Sequence, residues 1–341
     1  MTVIIGIDPH KASHTAVAID GDEHSLAEIK VRATCQQAEK LLAWAEPLGP
    51  RTWAVESAGG MGYLLSQQLV SAGEDVLDVP ATLASRIRVL GTGRSNKNDP
   101  NDALSVAIAA LRSPGLRPVR VADHGELLRL LAKRNHEIGR LRNIIVSRLH
   151  AALQNLSPGG IAKELNASDA VALLGAYEPV TPVEHTRYEL ALELLEDVKR
   201  LDVQLKASHK RIKTAVQASG TTLTDLYGVG PILACELIGY SGDIRRFTNR
   251  RDQFASYAGV APVELSSGGR TVHRLSRRGN RQLNHAIHMV AICQIRQMNS
   301  EGRAYFEKKV AEGKTKREAI RSLKRHVANA VYRQLLVDAS K

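Results

Sequence analysis

The sequence predicts an α/β N-terminal domain, a middle section of long helices and a mostly helical, basic C-terminal part. Three observations carry that expectation: short β-branched runs that open the chain, apolar residues recurring seven apart through the middle, and a concentration of Lys and Arg after residue 240. With 341 residues and 43% hydrophobic content, the chain has material for more than one hydrophobic core.

Residues 3–7 (VIIGI), 15–19 (TAVAI) and 27–31 (AEIKV) are short strands separated by Gly, Asp and Ser. Helical spacing follows over 36–45, a strand over 53–55, a helix over 62–71, a strand over 75–79 and a helix over 100–111. Three strands followed by alternating helix and strand is the order of a ribonuclease-H-like domain. The Ser113-Pro114-Gly115 turn closes it.

Over 126–156, Leu131, Ile138 and Ile145 fall seven apart, with Leu127, Leu141 and Leu149 at the intervening positions; this spacing predicts a long helix. Residues 157–185 are rich in Gly, Pro and Ser and break the pattern, after which Val198, Leu205 and Ile212 restore it. Such helices pair antiparallel, either within one chain or between protomers. Further on, Gly228-Val229-Gly230-Pro231 matches a helix-hairpin-helix turn, where exposed backbone N–H groups meet a phosphate. A helix over 249–258, a polar loop over 264–270, the basic run 273–281, a helix to about residue 298 and a capping box of Thr315 with Glu318 complete the chain.

Residues 241–341 carry 21 Lys and Arg against 8 Asp and Glu, whereas residues 1–240 carry 26 against 27. The whole positive excess therefore lies in the last hundred residues, as expected of a segment that meets a polyanion. Cys35, Cys235 and Cys293 are far apart and form no CxxC pair, which argues against a disulfide framework and a zinc ribbon. No stretch reaches membrane-spanning length and the opening apolar run is too short for a signal segment, so a cytoplasmic protein without membrane partners is expected.

Asp8 ends the first strand, Glu56 ends the fourth, and Asp99 and Asp102 begin a helix. In a ribonuclease-H-like fold these places converge, and carboxylates brought together there repel one another unless they hold a hard cation such as Mg²⁺. Capping is the local alternative, with Asp99 as N-cap, Pro100 at N1 and Asp102 at N3. Capping does not account for Glu56, which directly follows the apolar Trp53-Ala54-Val55. An actin-like ATPase shares the Gly6-Ile7-Asp8 opening but needs a second glycine-rich phosphate loop preceded by Asp, and Glu56-Ser57-Ala58-Gly59-Gly60 is a poor substitute.

Ser266-Ser267-Gly268-Gly269 is a second candidate. Serine attacks a phosphodiester only when its hydroxyl is accessible and the phosphate is neutralised, which Arg270, Arg274, Arg277, Arg278 and Arg281 could supply. A surface turn explains the same residues.

Taken in order, Gly6-Ile7-Asp8, Val55-Glu56-Ser57, Asn98-Asp99-Pro100-Asn101-Asp102, Gly228-Val229-Gly230-Pro231 and Ala258-Gly259-Val260-Ala261-Pro262 with Ser266-Ser267-Gly268-Gly269 resemble the DEDD transposases of bacterial insertion sequences. That group includes bridge-RNA-guided recombinases and a pilin-gene invertase, and the resemblance covers nearly the whole chain. It implies a RuvC-like domain (1–118) holding Mg²⁺ or Mn²⁺ through Asp8, Glu56, Asp99 and Asp102. It further implies a coiled-coil region (119–220, with a linker at 157–185) and a basic transposase domain (221–341) whose nucleophile is Ser267, placed by its distance from Pro262, with Ser266 as runner-up.

Several expectations follow from the resemblance. They are a phosphoserine intermediate, donor and target DNA as substrates, a structured guide RNA, and a homodimer or homotetramer whose domains share a site across protomers. The protein would be nucleoid-associated when active. The long interruption at 157–185 and the doubled serine depart from the best-known members. A metal-dependent junction-resolving endonuclease using water, and a non-enzymatic nucleic-acid binder, remain the alternatives.

Overall fold

The computed structural model describes residues 3–92, 98–157, 166–247, 251–267, 270–275 and 279–341, with backbone alone for 90–92, 263–267 and 270–275. The chain forms two compact units, Met1–Ala122 and Asp123–Lys341.

Unit 1 is built on one sheet. Strands β1 (Val3–Pro9), β2 (Ser13–Ile19) and β3 (Ser25–Arg32) form an antiparallel meander. Helix α1 (Gln37–Ala45) carries the chain to β4 (Arg51–Glu56), parallel to β1, and α2 (Tyr63–Ser71) carries it to β5 (Val76–Val79), parallel to β4. Helices α3 (Ala81–Thr92) and α4 (Asp99–Arg112) follow, then a two-residue edge strand, β6 (Arg117–Pro118). The spatial order β3-β2-β1-β4-β5-β6 is the ribonuclease-H-like arrangement with one short antiparallel strand added. The sequence pattern predicted neither α3 nor β6. The α3 segment follows directly on β5 with only Pro80 as punctuation, and β6 is too short to show a period.

Strand parity sorts the side chains between two layers. Ile5, Ile7, Trp53 and Val55 pack with Leu41, Leu65 and Leu69 of α1 and α2. The alternate positions face α4, where Ala54 meets Val106 and Ala109, and Val17 and Ile19 meet Ala103 and Ala107. The α4 backbone lies so close to β1 that a Cβ on Gly6 would stand 2.2 Å from the Ala103 carbonyl oxygen and 2.5 Å from the Ala107 nitrogen.

Unit 2 begins with α5 (His124–Gln154), capped by Asp123, and its partner α7 (Pro182–Ala218), opened by a Thr181/Glu184 capping box. They run antiparallel within the chain: Leu149 and Leu153 pack with Ala191, Leu195 and Val198, Arg142 pairs with Asp202, and Leu128 and Ala132 share a core with Ile212 and Val216. Leu127 and Leu141 are 44% and 47% exposed, so the seven-residue spacing named the wrong partners for part of the seam. The buried stripe is Leu128, Ala132, Ile138, Leu149 and Leu153, because one helix here packs against several neighbours instead of a single coiled-coil strand. The interruption at 157–185 contains α6 (Ala167–Gly175), which buries Ala170 and Leu174 against Leu149 and Leu153, and also the start of α7. Residues 158–165 of that stretch lie outside the described residues.

The rest of unit 2 comprises α8 (Pro231–Ser241), α9 (Arg251–Tyr257), the hairpin β7 (Pro262–Ser267) and β8 (Arg270–Leu275), α10 (Arg281–Arg296), α11 (Glu301–Ala311) and α12 (Lys316–Asp338). The predicted polar loop at 264–270 is thus part of a hairpin, in which polar β-branched residues such as Thr271 and short serines serve as strand. The Thr315/Glu318 box does open α12. Phe254, Leu283, Ile287, Leu323, Val327 and Val331 form the centre of a core shared by α9, α10 and α12. Among the described residues, no helix is long and apolar enough to cross a membrane.

The Gly6 contact has a measurable consequence. Gly6→Ala is expected to lower the stability of unit 1 by about 3 kcal/mol or more, since the obstructing atoms are backbone and cannot rotate away. Urea unfolding monitored by the fluorescence of Trp44 and Trp53, both in unit 1, measures this, and a loss under about 1 kcal/mol would show that α4 can shift.

Candidate active site

Asp8 and Glu56 are neighbours because β1 and β4 are parallel and in register, Gly6 opposite Ala54 and Ile7 opposite Val55. Both belong to the parity that faces α4. Immediately after Glu56 the chain leaves the sheet at Ser57, whose φ of 50° is left-handed. That turn is tied down by Ser57 N–H donating to the Val79 carbonyl at 2.9 Å and Ala58 N–H donating to Asp78 Oδ1 at 2.9 Å. It leaves Glu56 at the C-terminal end of β4.

Helix α4 brings the other two acids. Its N-cap is Asn98, whose side-chain oxygen accepts the Asn101 N–H at 2.9 Å, and not Asp99 as the spacing suggested. The cap residue therefore lies one position earlier. The Asp99 carboxylate instead accepts from Lys30 Nζ at 2.6 Å and stands 3.8 Å from His10 Nε2. Asp102, one turn into α4 and 9% exposed, pairs with Arg88 of α3. His10 Nδ1 also lies 3.5 Å from Asp8. Ligand atoms of Asp8, His10 and Asp99 lie within 4.8 Å of one another.

The electrostatics are those of crowded carboxylates. Burial raises the Asp8 carboxyl above its ordinary value, His10 opposes the rise, and Asp102 and Asp99 add to it. Glu56 is raised by burial first, then by the charge of Asp8 and a hydrogen bond between the two carboxyls, which favours the proton on Glu56. This set suits a hard divalent ion: the donors are mostly carboxylate oxygens, two of them hydrogen-bonded to each other where a cation would relieve both. His10, Lys30 and Arg88 supply positive charge at the same place. Sequence reading missed all three. His10 was legible as the second residue after Asp8, but Lys30 and Arg88 reach the cluster only through β3 and α3.

Ser267 is in unit 2, the last residue of β7, paired with Arg270; Ser266 pairs with Thr271 and Arg274 with Val263. Gly268, Gly269 and the predicted phosphate-binding Arg277 and Arg278 lie outside the described residues. Arg281 is the exposed first residue of α10. The ends of the hairpin are clamped by residues that spacing did not reveal. Asn284 Nδ2 donates to the carbonyls of Ala258 and Gly259 at 2.9 Å each, Lys324 Nζ donates to Asn284 Oδ1 at 2.6 Å, and Asn280 N–H donates to the Tyr257 carbonyl at 2.7 Å. The polar pair Asn280 and Asn284, four apart at the head of an apolar helix, was the available signal.

The predicted hairpin glycines have separate duties. Gly228 has φ 88° and packs against α10, where an added Cβ would lie 3.2 Å from the Val290 carbonyl oxygen. Gly230 is exposed and caps α8. The element before them is a three-residue 3₁₀ turn, Leu223–Asp225, so the motif is a turn into one helix and not a full helix-hairpin-helix.

Two family models match the chain. A DEDD transposase model, described as Transposase, covers residues 5–158, and a second, described as Transposase IS116/IS110/IS902 family, covers residues 220–307. The chain belongs to the IS110 family of DEDD transposases. Relatives of this transposase include the insertion element IS116 uncharacterized 44.8 kDa protein of Streptomyces clavuligerus, 26% identical with 97% of this chain and 94% of that one covered. Another is the IS900 uncharacterized 42 kDa protein of Mycobacterium paratuberculosis, 25% identical with the same coverage. A probable family 20 transposase of Pseudomonas aeruginosa is 25% identical, covering 85% and 84%. Among solved structures, Thermus thermophilus RuvC in complex with a Holliday junction substrate matches 35% of this chain and all of that one, at 17% identity and a TM-score of 0.28. The fold assignment rests on the strand order itself. As a transposase the protein is an enzyme that cleaves and rejoins DNA, and a DEDD site implies a divalent metal.

Because Asp8 and Glu56 hold protons more tightly when folded than when unfolded, the metal-free fold is favoured below the carboxylate range and loses that advantage as pH rises through their raised values. Saturating Mn²⁺ is expected to raise the melting temperature at neutral pH, by an increment that shrinks as pH falls into the carboxylate range. Asp8→Asn should raise the metal-free melting temperature and abolish the increment. Scanning fluorimetry decides this, and an unchanged increment in the variant would remove Asp8 from the metal site.

Arg88 competes with any ion for Asp102. Arg88→Ala is therefore expected to tighten Mn²⁺ binding about fivefold, corresponding to roughly 1 kcal/mol for a partly exposed pair. Calorimetric titration measures it; weaker binding in the variant would mean that Arg88 orients Asp102 toward the ion.

Proposed function

We propose that this transposase recombines DNA through a phosphoserine intermediate, with Asp8, Glu56, Asp99 and Asp102 holding Mg²⁺ or Mn²⁺ and Ser267 as nucleophile. The observation that carries the metal role is the convergence of four carboxylates on the α4 face of β1 and β4, together with the raised Asp8 and Glu56. His10 within the cluster favours an ion that tolerates imidazole, which suits Mn²⁺ better than Mg²⁺. When bound, the ion supplies charge neutralisation and positioning at the scissile phosphate.

The Ser267 hydroxyl attacks phosphorus, an Oγ–P bond forms, and one sugar–oxygen bond to phosphorus breaks, its oxygen leaving as a hydroxyl that takes up the proton. Rejoining reverses the exchange with a new sugar hydroxyl. The number of phosphoester bonds is conserved, so no external energy source is needed. Support for Ser267 comes from its place at the end of β7 opposite Arg270, next in sequence to Gly268 and Gly269. Arg270, Arg274, Arg277, Arg278 and Arg281 would grip the phosphate backbone, with the exposed Gly230 N–H at the head of α8 as a further contact.

The family resemblance supports guidance by a structured noncoding RNA and assembly as a homodimer or homotetramer. The 21 basic residues after position 240 provide charge for a second polyanion beside DNA.

A nicked DNA substrate that traps covalent intermediates tests this. The wild type should give a protein–DNA adduct that maps to Ser267, and Ser267→Ala should lose adduct and cleavage by at least about 10³-fold. Continued cleavage by Ser267→Ala, with loss in Asp8→Asn, would establish water as nucleophile and a junction-resolving endonuclease. Recombination by the purified protein should depend on adding the transcript of the noncoding DNA beside the gene.

A further inference from the structure

Within unit 2 lies an open cleft of about 750 Å³, bounded by α5, α8, α10 and Leu205 of α7. Glu236 of α8 lines it. This acid interrupts a run of apolar residues, Ile232 to Leu237, and is only 8% exposed. Its Oε2 is buried without a hydrogen-bond partner, and Oδ1 of Asn135 on α5, another lining residue, is in the same state. Burial pushes the Glu236 carboxyl up to about 7, with no cation to counter it. A buried acceptor pair left bare is costly to the fold and marks a place where a donor is to arrive.

The mouth of the cleft has the opposite character. His136, Arg140 and Arg148 of α5 and His285 of α10 line it and are exposed, and among the described residues neither arginine is in an ion pair. A complementary ligand must offer hydrogen-bond donors to the buried end and negative charge to the rim. A lysine or arginine side chain satisfies the first and is repelled by the second. A free phosphate satisfies the rim and is repelled by Glu236. Guanine nucleotides meet both demands, because N1–H and N2–H₂ stand side by side on the base's Watson–Crick edge while the phosphate is anionic. Adenine and cytosine place an acceptor beside their donor, and uracil offers one donor. The volume is that of a small-molecule site, and splayed-out bases of single strands are read on this edge.

We propose that this cleft receives a guanine nucleotide of a single-stranded nucleic acid, Glu236 and Asn135 accepting from the base, Arg140 meeting its phosphate, and Arg148, about 12 Å further along α5, meeting the next phosphate of the strand. The inference rests on the nucleic-acid reading above, though not on the metal or on Ser267. It gives the protein a base-selective contact away from the carboxylates and the hairpin serine.

Calorimetry on the full chain with guanosine, adenosine, cytidine and uridine 5′-monophosphates tests it. Guanosine monophosphate is expected to bind at least about tenfold tighter than the others, the difference of one well-paired base edge. Glu236→Gln should erase that preference, and Arg140→Ala should weaken all four alike. Ligand-free Glu236→Gln should also melt higher than the wild type, because the unpaired buried acid is gone; a structural glutamate would give the reverse. Single-guanosine octamers of RNA and of DNA then assign the source by which binds tighter.

Equal affinity for the four nucleotides, no measurable guanosine monophosphate binding, or a Glu236→Gln protein that melts lower and binds unchanged would overturn the proposal. A chain that still binds single strands without base preference would overturn the cleft alone and leave the recombinase reading standing.

Discussion

At Gly6 the backbones of β1 and α4 approach more closely than any side chain allows, and the carboxylate cluster depends on that approach. Asp8 lies two residues further along β1 on the same face, and Asp102 lies one residue before Ala103, the contact on α4. Sheet register adds Glu56 and the first turn of α4 adds Asp99. Four charges that repel one another are thus held together by packing among apolar and small residues, Ala54, Ala103, Val106 and Ala107, which gain burial irrespective of the charges.

The surroundings of the cluster offset part of that repulsion. Lys30 on Asp99, Arg88 on Asp102 and His10 between Asp8 and Asp99 give the metal-free protein a set of counter-charges. Each occupies an acid that a divalent ion would need, so the same contacts that stabilise the empty fold set a threshold for metal entry. Glu236 in unit 2 differs in kind, since its burial is not offset by any neighbouring cation. Glu236 breaks the rule that buried charges are paired.

The hairpin of Ser267 is organised by polar contacts at its base. Asn284 holds the carbonyls of Ala258 and Gly259, Lys324 holds Asn284, and Asn280 joins the returning strand to Tyr257 while capping α10. Lys324 is buried enough that desolvation lowers its amine from the ordinary value, as befits an amine used for its hydrogen bond inside the fold. The hairpin is therefore attached through the residues before it, since Ala258, Val260 and Ala261 belong to the core shared by α9, α10 and α12.

By itself the sequence determined the local features whose causes are local. Short β-branched runs between Gly, Asp and Ser marked β1 to β5, apolar spacing marked α5 and α7 as long helices, and the Thr315 box marked the start of α12. The ordered acids and glycines were enough to point to the family. What needed the tertiary structure was every feature set by elements distant in sequence. The cap of α4 is Asn98, whose extended backbone precedes the helix, while the Asp99 carboxylate pairs with Lys30 on β3, 69 residues away. The buried stripe of α5 departs from a seven-residue seam because α5 packs on α8 and α6 as well as on α7. In sequence Glu236 is one polar residue in an apolar run, and only the packing of α8 beside α5 and α10 puts its unpartnered oxygen in a cleft. Periodicity reports which face of an element is buried, whereas partners and charges are decided by which faces meet.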